Sequence, residues 1–301
     1  MAKNYIERYI WLIDTLSSYG PMSLSEISER WQRSSLNDAH APLAERTFHN
    51  HRQAIADVFG IDIEHDRSRG YTIGTCEGQP GGELRRWLME SISLSRIVSD
   101  ASAMRDRILL ERIPSSYRWL SMLVESIRSA QCVEITHQGF HRAAPATLAV
   151  HPYGLKLFRR RWYLLARPAE ASAPRTYSLD RIHRIVILPQ PSAVPVDFSV
   201  AQFFAHHFGI VTGTGEPVED VELRVTNREA QYLDTLPLHH SQFKVEANDT
   251  HTTYRYRLAP TYDFRMELLS RGAAVEVLQP EWFRAEVKQH IEAMLKNYNN
   301  K

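Results

Sequence analysis

Cysteine is nearly absent from this sequence. Cys76 and Cys132 are the only two in 301 residues and show no paired spacing, which argues against a disulfide framework or a zinc knuckle and points to a reducing cytoplasm. Long apolar runs are missing too: the longest reach about five to seven residues, whereas a helix needs ~20 to span a bilayer. The N-terminus, MAKNYIERYIWLID, is amphipathic and carries acids, unlike a secretory leader. There is no internal repeat and no low-complexity segment. Catalytic signatures are lacking as well, with no HExxH, no GxxxxGKS or GxxxxGKT and no GxSxG. The adjacent pairs His206-His207 and His239-His240 would diverge on regular backbone, so neither a metal nor any other cofactor is expected. Acids are scarce between residues 131 and 190, where only Glu134, Glu170 and Asp180 occur; that is too few for two-metal chemistry.

What is present is an ordinary globular composition, 43% hydrophobic and 24% charged, in a chain long enough for two or three domains. The net charge of +1 hides an uneven distribution. Residues 1–75 hold 8 Lys and Arg against 10 Asp and Glu, residues 131–190 hold 9 against 3, and residues 217–301 hold 11 against 13. Positive charge is concentrated in the middle, which implies an anionic guest there.

The first 78 residues predict three short helices and a two-stranded ribbon. Ile6, Tyr9, Ile10, Ile13 and Leu16 form one stripe. Gly20-Pro21 ends that helix, and Ser23 with Glu26 makes a capping box for a second, whose Leu24, Ile27 and Trp31 face inward. Pro42 is expected to open a third helix that Gly60 closes, with Phe48, Ile55, Val58 and Phe59 on its buried side. IDIEHDRSRGYTI then reads as a hairpin. This is the outline of a winged helix-turn-helix. Arg46, Thr47, Asn50 and Gln53, with His49 among them, lie opposite the apolar stripe of the third helix and suit base edges or phosphates in a major groove. Arg67 and Arg69 occupy the ribbon turn.

GQPGGE at 78–83 marks a boundary. Two helices, 83–111 and 115–129, are expected in a linker over 79–130 that could also join two copies of the chain. From Cys132 the period becomes two, and five short strands over 131–192 suit a small curved antiparallel barrel. A proline-rich linker spans 193–216. Residues 217–301 alternate strand-helix-strand-strand-helix-strand and end in a helix, the ferredoxin-like order. The whole is an α+β multidomain architecture.

Within the expected barrel, RRRWYLLARP at 159–168 surrounds an apolar strand with arginines. Strand parity puts Arg161, Tyr163, Leu165 and Arg167 on one face and Trp162, Leu164 and Ala166 on the other, core-facing one. Arginine suits phosphate because its planar fork bonds two oxygens and stays charged. The series HPYGLKLFRRRWYLLARP followed by RTYSLDRIHRI resembles the WYL domain of bacterial transcription factors. That family places a winged helix-turn-helix before an Sm- or SH3-like WYL barrel and often a C-terminal WCX extension, so the resemblance covers nearly the whole chain. It implies a regulator, not an enzyme: a cytoplasmic homodimer on an inverted-repeat operator, similar to repressors of phage-defence operons. It also implies a basic pocket for a nucleotide or short nucleic acid, carried onto Tyr153, Arg161, Tyr163 and Arg181. Lys156, Arg159 and Arg167 add charge by the residue reading alone. His137 stands where the family often has Tyr, and an imidazole there would add pH sensitivity near neutrality. A single-strand-binding module, with the N-terminal helices serving assembly, is the alternative.

Overall fold

The computed structural model describes residues 2–34, 36–74, 117–140, 142–212 and 215–299. The chain divides into two compact units, Met1–Glu111 and Arg112–Lys301. The expected helix over 83–111 and the start of the next lie outside the described residues. No described helix is long and apolar enough to cross a membrane.

In the first unit, α1 (Ala2–Tyr19), α2 (Leu24–Gln32) and α3 (Glu45–Phe59) precede the hairpin of β1 (Ile63–Asp66) and β2 (Gly70–Ile73). The capping box forms as the sequence dictates: Ser23 Oγ accepts from the Glu26 backbone N–H, and the Glu26 carboxylate accepts from the Ser23 N–H at 2.7 Å. Gly60, in the left-handed region at φ 63°, closes α3. Several packing expectations need correction. Pro42 lies outside α3, which begins at Glu45. Ile6 and Val58 are exposed, while Trp11, Leu12, Ile13 and Leu16 form the buried face of α1 against Ile27, Trp31, Phe48 and Ile55. The α1 stripe is rotated because Trp11 packs edge-on against Trp31, centroids 5.0 Å apart. Met22 adds a short third strand to the ribbon, exchanging two backbone hydrogen bonds with Tyr71 at 2.9 and 2.7 Å. Gly70 lies so close that a Cβ there would sit 2.4 Å from the Met22 carbonyl oxygen. Only glycine fits this approach, at φ 94°.

The described part of the second unit opens on a 3-10 turn (Tyr117–Trp119) and α4 (Leu120–Arg128). Five strands follow: β3 (Gln131–His137), β4 (Ala146–Phe158), β5 (Arg161–Pro168), β6 (Arg175–Ser178) and β7 (Ile182–Pro191), the last two joined by a 3-10 turn at Leu179–Arg181. They form one antiparallel sheet in the order β6-β5-β4-β3-β7. Leu123 of α4 is fully buried with Val133, Ile135, Val150, Leu164, Ala166, Leu179 and Ile182, so this core starts before the first strand. Trp162 packs against it, half-buried. The β4-β5 turn consists of Arg159 and Arg160, both at positive φ (46° and 62°), as a primed two-residue hairpin turn requires. Two of the three consecutive arginines therefore shape a turn.

A second sheet, β8 (Glu219–Thr226), β9 (Phe243–Ala247), β10 (His251–Leu258) and β11 (Val275–Gln279), has the order β11-β8-β10-β9, every pair antiparallel. Helices α6 (Asn227–Thr235), α7 (Tyr262–Ser270) and α8 (Glu281–Asn299) accompany it; α5 (Val200–Phe203) belongs to the preceding segment. Val221, Leu223, Val225, Tyr254, Tyr256 and Leu258 line the inner face against Phe264, Leu268 and Phe283. The outer face is a lattice of ion pairs: Arg255 with Glu222 at 2.8 Å, Arg257 with Asp220 at 3.3 Å, and Arg224 and Arg284 with Glu276 at 3.1 and 2.9 Å.

Residues 193–212 join the two sheets and do more than connect them. Val200 enters a notch at Gly154, where a Cβ would sit 2.3 Å from the Val200 methyl. Phe208 is buried in the core of the second sheet, with Phe158 packed against it. The segment is a strap across the outer face of β4 and β5.

Candidate functional site

The α3 face expected to meet DNA is open. Arg46, His49, Asn50 and Gln53 are exposed and Thr47 is half-buried. Phe48, His51 and Ile55 fill the opposite face. Positions 46, 49, 50 and 53 recur at the i, i+3, i+4 and i+7 spacing, so they share one stripe. Acids border it: Glu45 lies 3.8 Å from His49 Nε2, and Gln53 donates to Asp57 at 3.0 Å. Arg67 and Arg69 are exposed in a turn fixed by Asp66, whose carboxylate accepts from the Ser68 hydroxyl and from the backbone N–H groups of Ser68 and Arg69. Those bonds hold the Asp66 carboxyl below its ordinary range.

In the second unit the structure separates the eight residues expected to form one pocket. Tyr153 packs edge-on against Phe198 of the strap, centroids 4.7 Å apart, and its hydroxyl accepts from Arg167 Nε at 3.3 Å. Arg167 also donates to the Ala171 carbonyl at 3.1 Å. Lys156 lies under the strap, 3.8 Å from the Phe204 ring centroid, and donates to the Gly209 carbonyl at 2.5 Å. Burial lowers its ammonium pKa to about 8. Asp263 of α7 secures the same strap, accepting from the Ile210 and Val211 N–H groups at 2.7 and 2.9 Å. Arg159 pairs with Glu267. Leu165, expected on an open face, is fully buried there. The strap therefore covers the middle of the face that strand parity assigned to an effector.

The remaining residues gather around the 179–181 turn. Arg161 donates to Asp180 at 3.4 Å, and Asp180 also accepts from Ser178. Tyr163 is half-buried, and burial raises its phenol pKa while Arg161, nearby, opposes the shift. Arg181 stands over the ring of Phe140, 4.2 Å from its centroid. His137 packs edge-on against Tyr177 at 5.4 Å, and its Nε2 finds no hydrogen-bond partner. Burial first, and then Arg181, lowers its pKa, which favours the neutral imidazole. Phe140, Arg142 and His183 complete this region; Phe140 and Arg142 lie outside the motif series, and His183 lies within RTYSLDRIHRI but beside the residues that the resemblance assigns to the pocket. An aromatic in a turn-rich loop of a basic segment was the available signal.

Residues 118–187 match the family model of the WYL domain, and residues 217–295 match that of the WCX domain. This chain carries a WYL domain followed by a WCX domain. Among solved structures, it is similar to proteasome accessory factor B/C (PafBC) of Arthrobacter aurescens, with 19% identity and a TM-score of 0.38 over 96% of this chain and 47% of that one. It is also similar to a CRISPR Cas-related protein, with 11% identity and a TM-score of 0.43 over 98% of this chain and 85% of that one. The WYL-domain chain thus spans about half the length of the PafBC chain. Among curated proteins, no match is found.

Other chemistry-bearing groups in the WYL-domain unit serve packing. Cys132 is buried, its Sγ 3.1 Å from His151 Nδ1, and burial raises its thiol pKa. His207 stacks along Phe203 of the strap, and His239 is buried against Ser241 at 2.7 Å. Among the described residues, no group of three His, Cys, Asp or Glu side chains could hold a metal ion.

Proposed function

We propose that this WYL-domain protein is a DNA-binding transcription regulator whose WYL sheet senses an anionic ligand. Residues 1–78 act as a winged helix-turn-helix, with α3 in the major groove and Arg67 and Arg69 on the backbone. The five-stranded sheet over 131–192 works as an Sm-like barrel, and the 217–301 module is ferredoxin-like. The protein works in the cytoplasm as a homodimer on an inverted repeat, its half-sites one or a few helical turns apart. Repression of a phage-defence operon, relieved by the ligand, follows from the resemblance of the HPYGL, RWYL and LDRI series.

One observation carries the reading. A single chain combines a ribbon-flanked three-helix unit, with Arg46, His49, Asn50 and Gln53 exposed on one stripe, and a WYL domain bearing cations around its 179–181 turn. A ligand that favours one state by ~1–3 kcal/mol changes operator affinity 5- to 150-fold. Sequencing the duplex fragments retained by the purified protein tests the proposal. Symmetric sites should be enriched, and the triple variant R46A/N50A/Q53A should lose them while staying folded. Failure to retain any duplex would favour the second reading, a single-strand-binding module. Glu45 and Asp57 on the α3 surface are the feature that speaks for that alternative.

A further inference from the structure

The strap is pinned at its two ends and held differently between them. Upstream, the Ser192 N–H donates to the Ala130 carbonyl at 2.7 Å and the Ala193 N–H to His151 Nδ1 at 3.0 Å. Downstream, the His206 carbonyl accepts from the Ala259 N–H at 2.8 Å and the Ile210 carbonyl from Thr176 at 3.2 Å, while Asp263 takes the N–H groups of Ile210 and Val211. Over 194–204 the backbone hydrogen bonds among the described residues stay inside the strap, Phe198 N–H to Pro195, Phe203 N–H to Ser199 and Phe204 N–H to Val200. This stretch meets the sheet through side chains. The Phe198 ring packs edge-on against Tyr153, a Val200 methyl fills the notch at Gly154, and the Phe204 ring lies against the Lys156 ammonium.

On the face it crosses, two cations lack a carboxylate in direct contact. Lys156 donates to the Gly209 carbonyl, and Arg167 to the Tyr153 hydroxyl and the Ala171 carbonyl; among the described residues neither forms an ion pair. Arg159 and Arg161, by contrast, have Glu267 and Asp180. Lys156 is the cross-strand partner of Tyr163, whose strand also carries Arg161, so the covered cation borders the open group around the 179–181 turn. We infer that residues 194–204 are a hinged, autoinhibitory lid: closed, it withholds Lys156 and Tyr153 from the anion site, and lifted, it joins them to Arg161, Tyr163 and Arg181. This rests on the proposed sensing role and goes beyond it by assigning the gate that regulates the site. Lifting breaks no backbone hydrogen bond to the sheet and exposes Phe198, Val200 and Phe204, so it is a local opening rather than an unfolding of the unit. An anion that engages Lys156 binds the lifted state better and shifts the population toward it.

A Cβ built at Gly154 stands 3.6 Å from the Val200 Cβ, within the ~3.5–4.5 Å that a disulfide spans. Gly154→Cys/Val200→Cys on a Cys76→Ser background can therefore lock the lid by oxidation. Isothermal titration of the full chain with tripolyphosphate reads the effect. The oxidised form should bind about 10-fold or more weakly than the same protein reduced, and Lys156→Met should weaken the reduced form alone. Phe198→Ala, which removes the ring contact with Tyr153, should bind about 3- to 10-fold more tightly than the parent. Oxidised and reduced forms within twofold of each other, with Phe198→Ala no tighter than the parent and binding still lost in Arg181→Ala, would overturn the lid and leave anion sensing standing. No binding of tripolyphosphate by the parent protein would overturn both.

Discussion

Asp263 holds the strap by two backbone hydrogen bonds, and its removal has a calculable effect. Its Oδ2 accepts from the N–H groups of Ile210 and Val211 at 2.7 and 2.9 Å, and Lys156 binds the preceding carbonyl, that of Gly209. A hydrogen bond to a charged group contributes ~1.5–3 kcal/mol. Two such bonds at a half-buried site set an upper limit of ~6 kcal/mol, and about 3 kcal/mol is the working value after allowance for water reaching the vacated site. Asp263→Ala should therefore raise the population of the open strap roughly 100-fold. Asp263→Asn keeps an acceptor oxygen and should cost about half as much. Hydrogen–deuterium exchange over residues 205–212 reads this directly, with peptides from the N-terminal unit as the internal control. Exchange in the Ala variant within threefold of the parent would refute the view that Asp263 fastens the strap.

Three further expectations follow from the same geometry. Gly70→Val should unfold the ribbon and lower the melting temperature of the N-terminal unit, because its Cβ would meet the Met22 carbonyl at 2.4 Å; a stable variant with an intact Met22–Tyr71 bridge would contradict it. Ser23→Ala removes the cap of α2 and should destabilise that unit by ~1 kcal/mol in urea titrations. Burial lowers the His239 pKa to about 4 from its ordinary 6.5. The unfolded chain thus takes up this proton first, and the group's contribution should rise with pH from about 4 to 6.5 and stay constant above. The urea midpoint of the parent should consequently fall more between pH 7 and pH 5 than that of His239→Asn, and equal falls would refute the assignment.

The elements that were legible in the sequence are those with local chemical signals. The Ser23–Glu26 box and Gly60 mark helix ends because they satisfy backbone groups within a few residues. All five WYL strands were visible as short apolar runs set off by turn residues, and a strand stands at each of them. The strap was not, since PSAVPVDFSVAQFF has no regular period, and its partners Gly154, Lys156 and Asp263 are remote in sequence. Leu165 illustrates the resulting error. Its parity was correct, but parity cannot say what lies over a face. Met22 joins the ribbon through a single residue, too short for any periodic signal. In the candidate site, Arg161 and Arg181 could be read from their motifs, whereas Phe140 is defined by its exposure, which only the fold reveals.

The ion-pair lattice on the outer face of the C-terminal sheet has a practical consequence for titrations with electrolyte. Its guanidinium groups already face carboxylates of the same surface, so they are poorly placed to displace the counterions condensed on an approaching polyanion. The slope of log K against log of salt concentration, which counts the phosphates neutralised on a duplex or a single strand, should therefore be unmoved by Arg255→Gln or Arg257→Gln. A slope that both variants leave unchanged is set by cations outside this lattice.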